Sequence, residues 1–161
     1  MRISFDLDDT LVCPTRLAPA EPSRLRRIFR RWLSDALRRG TRTLMRELRR
    51  RGCSIWIYTT SGRTPIRIRI WLYLHGIHVD GVVNSERHRE ELSGHDLPRV
   101  PSKYPPAFGI NLHVDDSEGV RMEGEEHGFH VVVVRPDDEH WTQKVLDAVH
   151  RRNSPELALQ K

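Results

Sequence analysis

The chain has little cysteine, little lysine and no long apolar run. Its 161 residues include two cysteines, Cys13 and Cys53, which are far apart. They make neither a disulfide framework nor a cysteine metal cluster, and a reduced, cytoplasmic protein is the reading they support. No apolar stretch approaches the roughly 20 residues that span a bilayer, so neither a helical membrane anchor nor a membrane partner is expected. The first residues run directly into an apolar, strand-like segment with no signal-peptide pattern. Aromatic residues make up 7% of the chain, and the most basic segment holds only Phe29 and Trp32 as stacking platforms for bases. Repeats, low-complexity tracts and linker-like stretches are absent. One domain over residues 1–150 is therefore expected, with 151–161 as a frayed tail.

Charge is abundant, at 30% of residues, and hydrophobic content is 37%, ordinary for a globular chain. The net charge is +5 and the excess is local. Residues 21–51 hold twelve arginines, among them Arg24, Arg38, Arg42, Arg49 and Arg51, against Glu21, Asp35 and Glu47. Such a segment is either a solvated helix face or a surface for a polyanion. The scarcity of aromatics there favours the solvated face, so nucleic acid is a possible partner but not the favoured one.

Hydrophobic patterning alternates strands with helices. Strands are expected near 2–7, 53–58, 77–83, 110–114 and 129–134. Helices are expected near 24–38, 41–51, 64–75, 118–126 and 139–150, with 84–102 polar and irregular. Alternation of this kind implies right-handed crossovers and a parallel sheet. The expected fold class is α/β, a three-layer, doubly wound (Rossmann-like) parallel sheet of about five strands.

Three of these strands end in polar clusters. The first ends in Asp6-Leu7-Asp8-Asp9-Thr10, the second in Thr59-Thr60-Ser61-Gly62-Arg63, and the fourth in Asp115-Asp116-Ser117. In a parallel α/β sheet those C-terminal ends share one edge, where ligand crevices form. Asp6 and Asp8 are two residues apart, so they share a face where the strand continues. One carboxylate suits a nucleophile and its neighbour a proton shuttle. Close carboxylates also repel, and a hard cation such as Mg²⁺ relieves them. The Thr59 cluster, at the start of a helix, offers hydroxyls and amides to a phosphate, with Thr60 contributing a backbone amide. Arg63 is either a further phosphate contact or a surface charge. Lys103 is one of only three lysines, and a lysine is a compact point charge that arginine does not replace. The nine histidines, His88 and His113 among them, are scattered without zinc-like spacing, and no metal role follows for them.

This ordered set, Asp6/Asp8, Thr59, Lys103, Asp115/Asp116, resembles the motifs of the haloacid dehalogenase-like (HAD) hydrolases, over roughly residues 1–135. The resemblance implies a Mg²⁺-dependent phosphomonoester hydrolase. Asp6 would be the nucleophile that forms an aspartyl-phosphate and Asp8 the general acid/base. Thr59, Thr60 and Lys103 would bind phosphate, with Thr59 and Lys103 also serving catalysis. The metal set would be Asp6, the Asp8 carbonyl, Asp115 and Asp116; which of the last two is the direct ligand stays open, with Asp116 slightly the better. Family dehalogenases lack the second acid of the first motif, so Asp8 argues for phosphate chemistry. Residues 11–39 leave room only for a minimal cap, which implies an open site and a phosphorylated, bulky substrate. Three alternatives remain. One is a nucleotide or nucleic-acid-end phosphatase that uses the Arg-rich segment, another is a non-catalytic binding or regulatory protein on the same fold, and the third is phosphotransfer to an acceptor other than water. Oligomeric state does not follow from the sequence.

Overall fold

A computed structural model describes residues 1–13, 16–22, 35–95 and 100–153. Five strands form one sheet: β1 (Arg2–Phe5), β2 (Ser54–Tyr58), β3 (Gly81–Val83), β4 (Leu112–Asp115) and β5 (Val131–Val133). The order is β3-β2-β1-β4-β5 and every pairing is parallel. The chain winds outward from β1 to β3, then crosses back to β4 and winds the other way. The reversal falls between β1 and β4, the place where a doubly wound sheet opens a crevice at its carboxyl edge.

The helices are α1 (Thr41–Arg50), α2 (Pro65–Leu74), α3 (Ser85–Leu92), α4 (Glu118–His127) and α5 (Trp141–Asn153), with a 3₁₀ turn at Pro105–Phe108. Strand alternation sorts the core. Ile3, Phe5, Ile55, Ile57, Leu112 and Val114 pack with Leu44 and Leu48 of α1, Ile68 and Leu72 of α2, and Val145 and Val149 of α5. The opposite face carries a smaller apolar cluster of Tyr58, Val83, Phe108 and Ile110. It also carries two fully buried polar groups, Ser4 and His113. Polar side chains on a buried sheet face need partners, and these two lead to the site described below.

Helix starts follow local chemistry. Thr64, Asn84 and Ser117 accept backbone N–H groups at the starts of α2, α3 and α4. α1 starts at Gly40, which has no side chain to cap with. The Glu21 carboxylate fills that role from a distance, accepting the Gly40 and Arg42 amides at 3.1 Å each.

Two expectations are corrected. Residues 84–102 were expected to be irregular, yet α3 occupies 85–92. Its residues are polar almost all round, with Leu92 the one buried side chain, so hydrophobic periodicity gives no signal; the Asn84 cap and Glu86 in the first turn are what mark it. The helix expected over 24–38 falls largely outside the described residues, but its end is not helical: Leu37 and Arg38 form antiparallel bridges with Val12 and Ala20. Arg38 explains this. It is buried, and its guanidinium donates to the carbonyls of Arg135 and Asp138 at 2.7 and 2.8 Å and to that of Thr10 at 3.4 Å. It therefore ties the β1 loop to the segment after β5 instead of presenting charge to solvent. β3 is the short strand expected within 77–83, and the tail from 154 onward lies outside the described residues.

Gly124 shows how tightly α4 meets the sheet. A Cβ there would lie 2.7 Å from the Phe129 carbonyl oxygen and 3.1 Å from the Val131 side chain. Alanine normally gains about 1 kcal/mol over glycine within a helix. Gly124→Ala is expected instead to lose about 1–3 kcal/mol, because the clash is with backbone. Urea unfolding of the two chains reads the sign, and a stabilised variant would contradict this packing.

Candidate active site

β1 ends at Phe5, and the next residue, Asp6, still donates its amide to the Val114 carbonyl at 2.8 Å. The chain then turns sharply: the amides of Leu11 and Val12 both return to the Leu7 carbonyl. Asp9 completes the turn with φ 57°, a left-handed conformation that aspartate tolerates better than most residues. The turn separates the two acids. Asp6 is buried, while the Asp8 side chain is 48% exposed.

On the polar face of the sheet, Ser4 and His113 are register partners across β1 and β4. Two residues further along each strand come Asp6 and Asp115, on the same face. The four side chains are joined by hydrogen bonds. Ser4 Oγ lies 2.8 Å from His113 Nδ1, and His113 Nε2 lies 2.9 Å from Asp115 Oδ2. Lys103 Nζ donates to Asp115 Oδ2 and, at 2.6 Å, to Asp6 Oδ1. Lys103 is 3% exposed. Its loop is held from both sides: Glu123 of α4 accepts the Ser102 amide at 3.0 Å, and the Tyr58 hydroxyl accepts the Tyr104 amide at 2.8 Å. His88 of α3 meets the same Tyr58 hydroxyl through Nδ1.

One buried cation between two buried carboxylates leaves their titrations unequal. Burial would raise Asp115, but the hydrogen bond from His113 and the charge of Lys103 outweigh it and hold Asp115 well below the ordinary carboxylate range. Asp6 goes the other way. Burial, reinforced by the negative charge of Asp115, overrides Lys103 and pushes Asp6 up to about 6. Burial also pushes His113 below its usual range, so its ring is neutral.

The second strand supplies the facing loop. Thr59 is buried, and its Oγ1 accepts the Ser61 amide at 3.1 Å. A hydroxyl that accepts in this way keeps its own hydrogen to donate. Thr60 is exposed. Arg63, left open between phosphate contact and surface charge, is partly buried and bound to an acid: its Nη1 meets both Asp8 oxygens at 2.7 and 2.8 Å, and its Nη2 meets Asp35 at 3.4 Å. The same Nη1 lies 3.0 Å from Ser61 Oγ.

The fourth strand ends in two acids with different surroundings. Asp115 accepts from Lys103 and His113 on Oδ2 and from the Ser117 amide at 2.9 Å on Oδ1. Asp116 accepts a long contact from Thr10 Oγ1 at 3.5 Å. Burial and the adjacent Asp115 charge push Asp116 upward. The described residues hold no group of three His, Cys, Asp or Glu side chains arranged for a metal ion. A site here therefore depends on fewer side chains, with Asp6 and Asp116 the available hard oxygens. A main-chain carbonyl and water would complete it, a donor set that suits Mg²⁺.

His113 was not singled out by the sequence. The signal for it was a histidine inside an apolar strand, two residues before Asp115, and period two puts such a pair on one face.

No protein-family model matches the chain, and no curated protein matches it. Among solved structures it is similar to a chain of the Pnkp1/Rnl/Hen1 complex, at 16% identity and a TM-score of 0.51, covering 82% of this chain and 45% of that one. This chain thus spans less than half the length of that relative. It is also similar to a structure described as a predicted HAD-like family hydrolase from Porphyromonas gingivalis, at 13% identity, a TM-score of 0.46 and coverage of 94% and 97%. At such identities the first likeness speaks to the fold alone, and the second is too distant to carry an argument. Among the described residues no helix is long and apolar enough to cross a membrane.

The raised Asp6 makes a prediction about stability. Its folded value of about 6 lies above the ordinary aspartate value of 3.8, so the folded state holds the proton more tightly. The stability this group contributes is complete below about pH 4 and is lost as pH rises through about 6. Asp6→Asn resembles the protonated form, and in metal-free buffer at pH 7.5 it is expected to be more stable than the native chain by about 2–3 kcal/mol. The difference should vanish towards pH 4. Thermal unfolding across that range checks both statements, and a variant less stable at pH 7.5 would contradict them.

Proposed function

We propose that the chain is a Mg²⁺-dependent phosphomonoester hydrolase of the HAD-like kind, working through an aspartyl-phosphate on Asp6. The observation that carries this reading is the buried Asp6–Lys103–Asp115 cluster at the carboxyl edge of β1 and β4, with Asp116 beside it. A nucleophilic carboxylate needs to be ionised yet poorly solvated, and a fixed cation against it serves both needs.

Asp6 Oδ attacks phosphorus, forming the acyl-phosphate bond as the bond to the leaving oxygen breaks. Asp8 gives its proton to that oxygen. A water then loses a proton to Asp8 and displaces the phosphoryl group from Asp6, which returns both acids to their starting states. Lys103 balances charge at the attacking carboxylate, and Thr59 Oγ1 donates to a phosphoryl oxygen. The Thr60 amide would donate to the same group. Arg63 Nη1 meets both Asp8 oxygens; one of these contacts orients Asp8 throughout, and the other gives way when Asp8 carries the proton destined for the leaving oxygen. Asp6, Asp116 and the Asp8 carbonyl would hold Mg²⁺, which supplies charge neutralisation for the transferring phosphoryl group. In this reading Asp115 orients Lys103 and is not a direct ligand, because its oxygens are already occupied by three donors.

The nucleic-acid-end version of this activity draws less support. Of the described arginines in the basic segment, Arg38 is buried, Arg42 donates to the Pro22 carbonyl, Arg49 pairs with Asp80, Arg50 and Arg51 pair with Glu47, and Arg39 and Arg46 are exposed. Arg24, Arg26, Arg27, Arg30 and Arg31 lie outside the described residues.

Release of p-nitrophenol from its phosphate ester tests the proposal. Turnover is expected to need Mg²⁺ and to fall at least about 10³-fold in Asp6→Asn. A native chain that is folded and binds Mg²⁺ by calorimetry, yet releases nothing from this or a panel of phosphorylated metabolites, would favour the binding-protein alternative. The two acids of the fourth strand should separate. Asp116→Asn is expected to abolish the rise in Tm on adding Mg²⁺ while leaving the metal-free fold intact. Asp115→Asn is expected to destabilise the metal-free fold by about 3 kcal/mol, since it removes one partner of a buried cation.

A further inference from the structure

The proposed chemistry uses Asp6, Lys103 and Asp115, but it does not account for the polar pair beneath them. Ser4 and His113 are fully buried on a sheet face where apolar residues would pack as well. Their hydrogen bonds run in one direction. Asp115 accepts the Lys103 ammonium on Oδ2 and the Ser117 amide on Oδ1, so the carboxylate is an acceptor throughout and His113 Nε2 carries the hydrogen of the 2.9 Å contact. With that hydrogen on Nε2, Nδ1 is the acceptor, and the Ser4 hydroxyl donates to it at 2.8 Å. Ser4 thereby selects the tautomer that Asp115 requires. Asp115 Oδ2, fixed by His113, is the same atom that receives Lys103. Lys103 has one further partner in the cluster, Asp6.

We propose that His113 is a positioning residue for this site: oriented by Ser4, it fixes Asp115 Oδ2 so that Lys103 is held against Asp6. This rests on the reading of Asp6 as the nucleophile. The arrangement is built into the sheet, because Ser4 and His113 are register partners and Asp6 and Asp115 lie two residues beyond them. Lys103 lies outside the strands, and its ammonium group is placed by the two carboxylates it meets, Asp6 and Asp115. Without His113 the Asp115 carboxylate keeps the Ser117 amide on Oδ1 but loses the strand-borne donor that fixes Oδ2, and the lysine would follow Oδ2 away from the nucleophile. Substrate binding, which draws on the Thr59 loop and the metal ligands, would be little altered.

Three variants test this: His113→Leu, which keeps bulk and removes both polar atoms; His113→Gln, whose side-chain amide retains a donor and an acceptor; and Ser4→Ala. Loss of a supporting hydrogen bond of this kind costs about 10–100-fold in activity. His113→Leu is expected to lower kcat for p-nitrophenyl phosphate by that amount, with KM and the calorimetric Mg²⁺ affinity within about threefold of native. His113→Gln should recover most of the loss, and Ser4→Ala should lie between. A folded His113→Leu chain with native kcat would overturn the proposal. If that variant does not fold, Ser4→Ala with native kcat does the same.

The second readout does not need activity. In ¹⁵N NMR of the native chain, His113 is expected as the neutral Nε2–H tautomer. The Lys103 ammonium should give a protected signal that is lost in His113→Leu and retained in His113→Gln. An Nδ1–H tautomer, or a Lys103 signal indifferent to His113→Leu, overturns the positioning role. A native chain without turnover, or turnover that survives Asp6→Asn, overturns the hydrolase reading instead, and the NMR result then decides the role of His113 in placing Lys103.

Discussion

A lysine buried between two carboxylates is the interaction on which the rest of this site depends. Taking three charges out of water is expensive, and one cation does not fully compensate two anions. The imbalance shows in the two acids. Asp115 collects donors from Lys103, His113 and the Ser117 amide and stays ionised, while Asp6 is pushed up to about 6. The cluster is therefore poised rather than relaxed, with its least stabilised carboxylate at the mouth of the crevice. A chain selected for stability alone would have apolar residues in these places. The strain at Asp6 is an argument for function because it is local, bounded by named neighbours and coincident with the point where the sheet reverses its winding.

The fold makes this cluster with few moves. Parallel register sets Ser4 beside His113, and the two-residue period of both strands then sets Asp6 beside Asp115. The remaining work is to bring Lys103 up from a loop and to fix the loops at the carboxyl edge. Tyr58 and Glu123 clamp the residues either side of Lys103. Arg38, although it belongs to the basic segment, spends its guanidinium on carbonyls of the β1 loop and of the chain after β5. Arg63 likewise serves an acid, Asp8. These two arginines, which look like surface charge in the sequence, are thus internal bracing.

The parts legible in the sequence are those governed by short-range rules. Apolar runs ending in acids or hydroxyls marked β1, β2 and β4, and the doubly wound sheet followed from their alternation with helices. Asp6, Thr59 and Asp115 stood out as polar residues at strand ends, while Lys103 and the roles given to all four came from the motif order that resembles the HAD hydrolases. What was missed depends on neighbours distant in the chain. α3 is polar nearly all round and gives no helical period, so the Asn84 cap and Glu86 in the first turn were the cues it offered. The end of the supposed 24–38 helix is a pair of bridges dictated by where Arg38 finds carbonyls, and those lie up to a hundred residues away. His113 looks like one histidine among nine until its strand partner, Ser4, is known. The different tasks of Asp115 and Asp116 arise from Lys103, which the sequence places twelve residues earlier with no indication of which acid it reaches.

The most direct test of the central claim is to identify the atom that carries the phosphoryl group. The Asp8→Asn chain, in which hydrolysis of the intermediate is slowed, would be mixed with a phosphate monoester and Mg²⁺ and quenched in acid. Borohydride reduction converts an aspartyl-phosphate to homoserine, which mass spectrometry of the N-terminal peptide locates. The account predicts homoserine at position 6. Homoserine at another acid, or none from a chain that is turning substrate over, would contradict it.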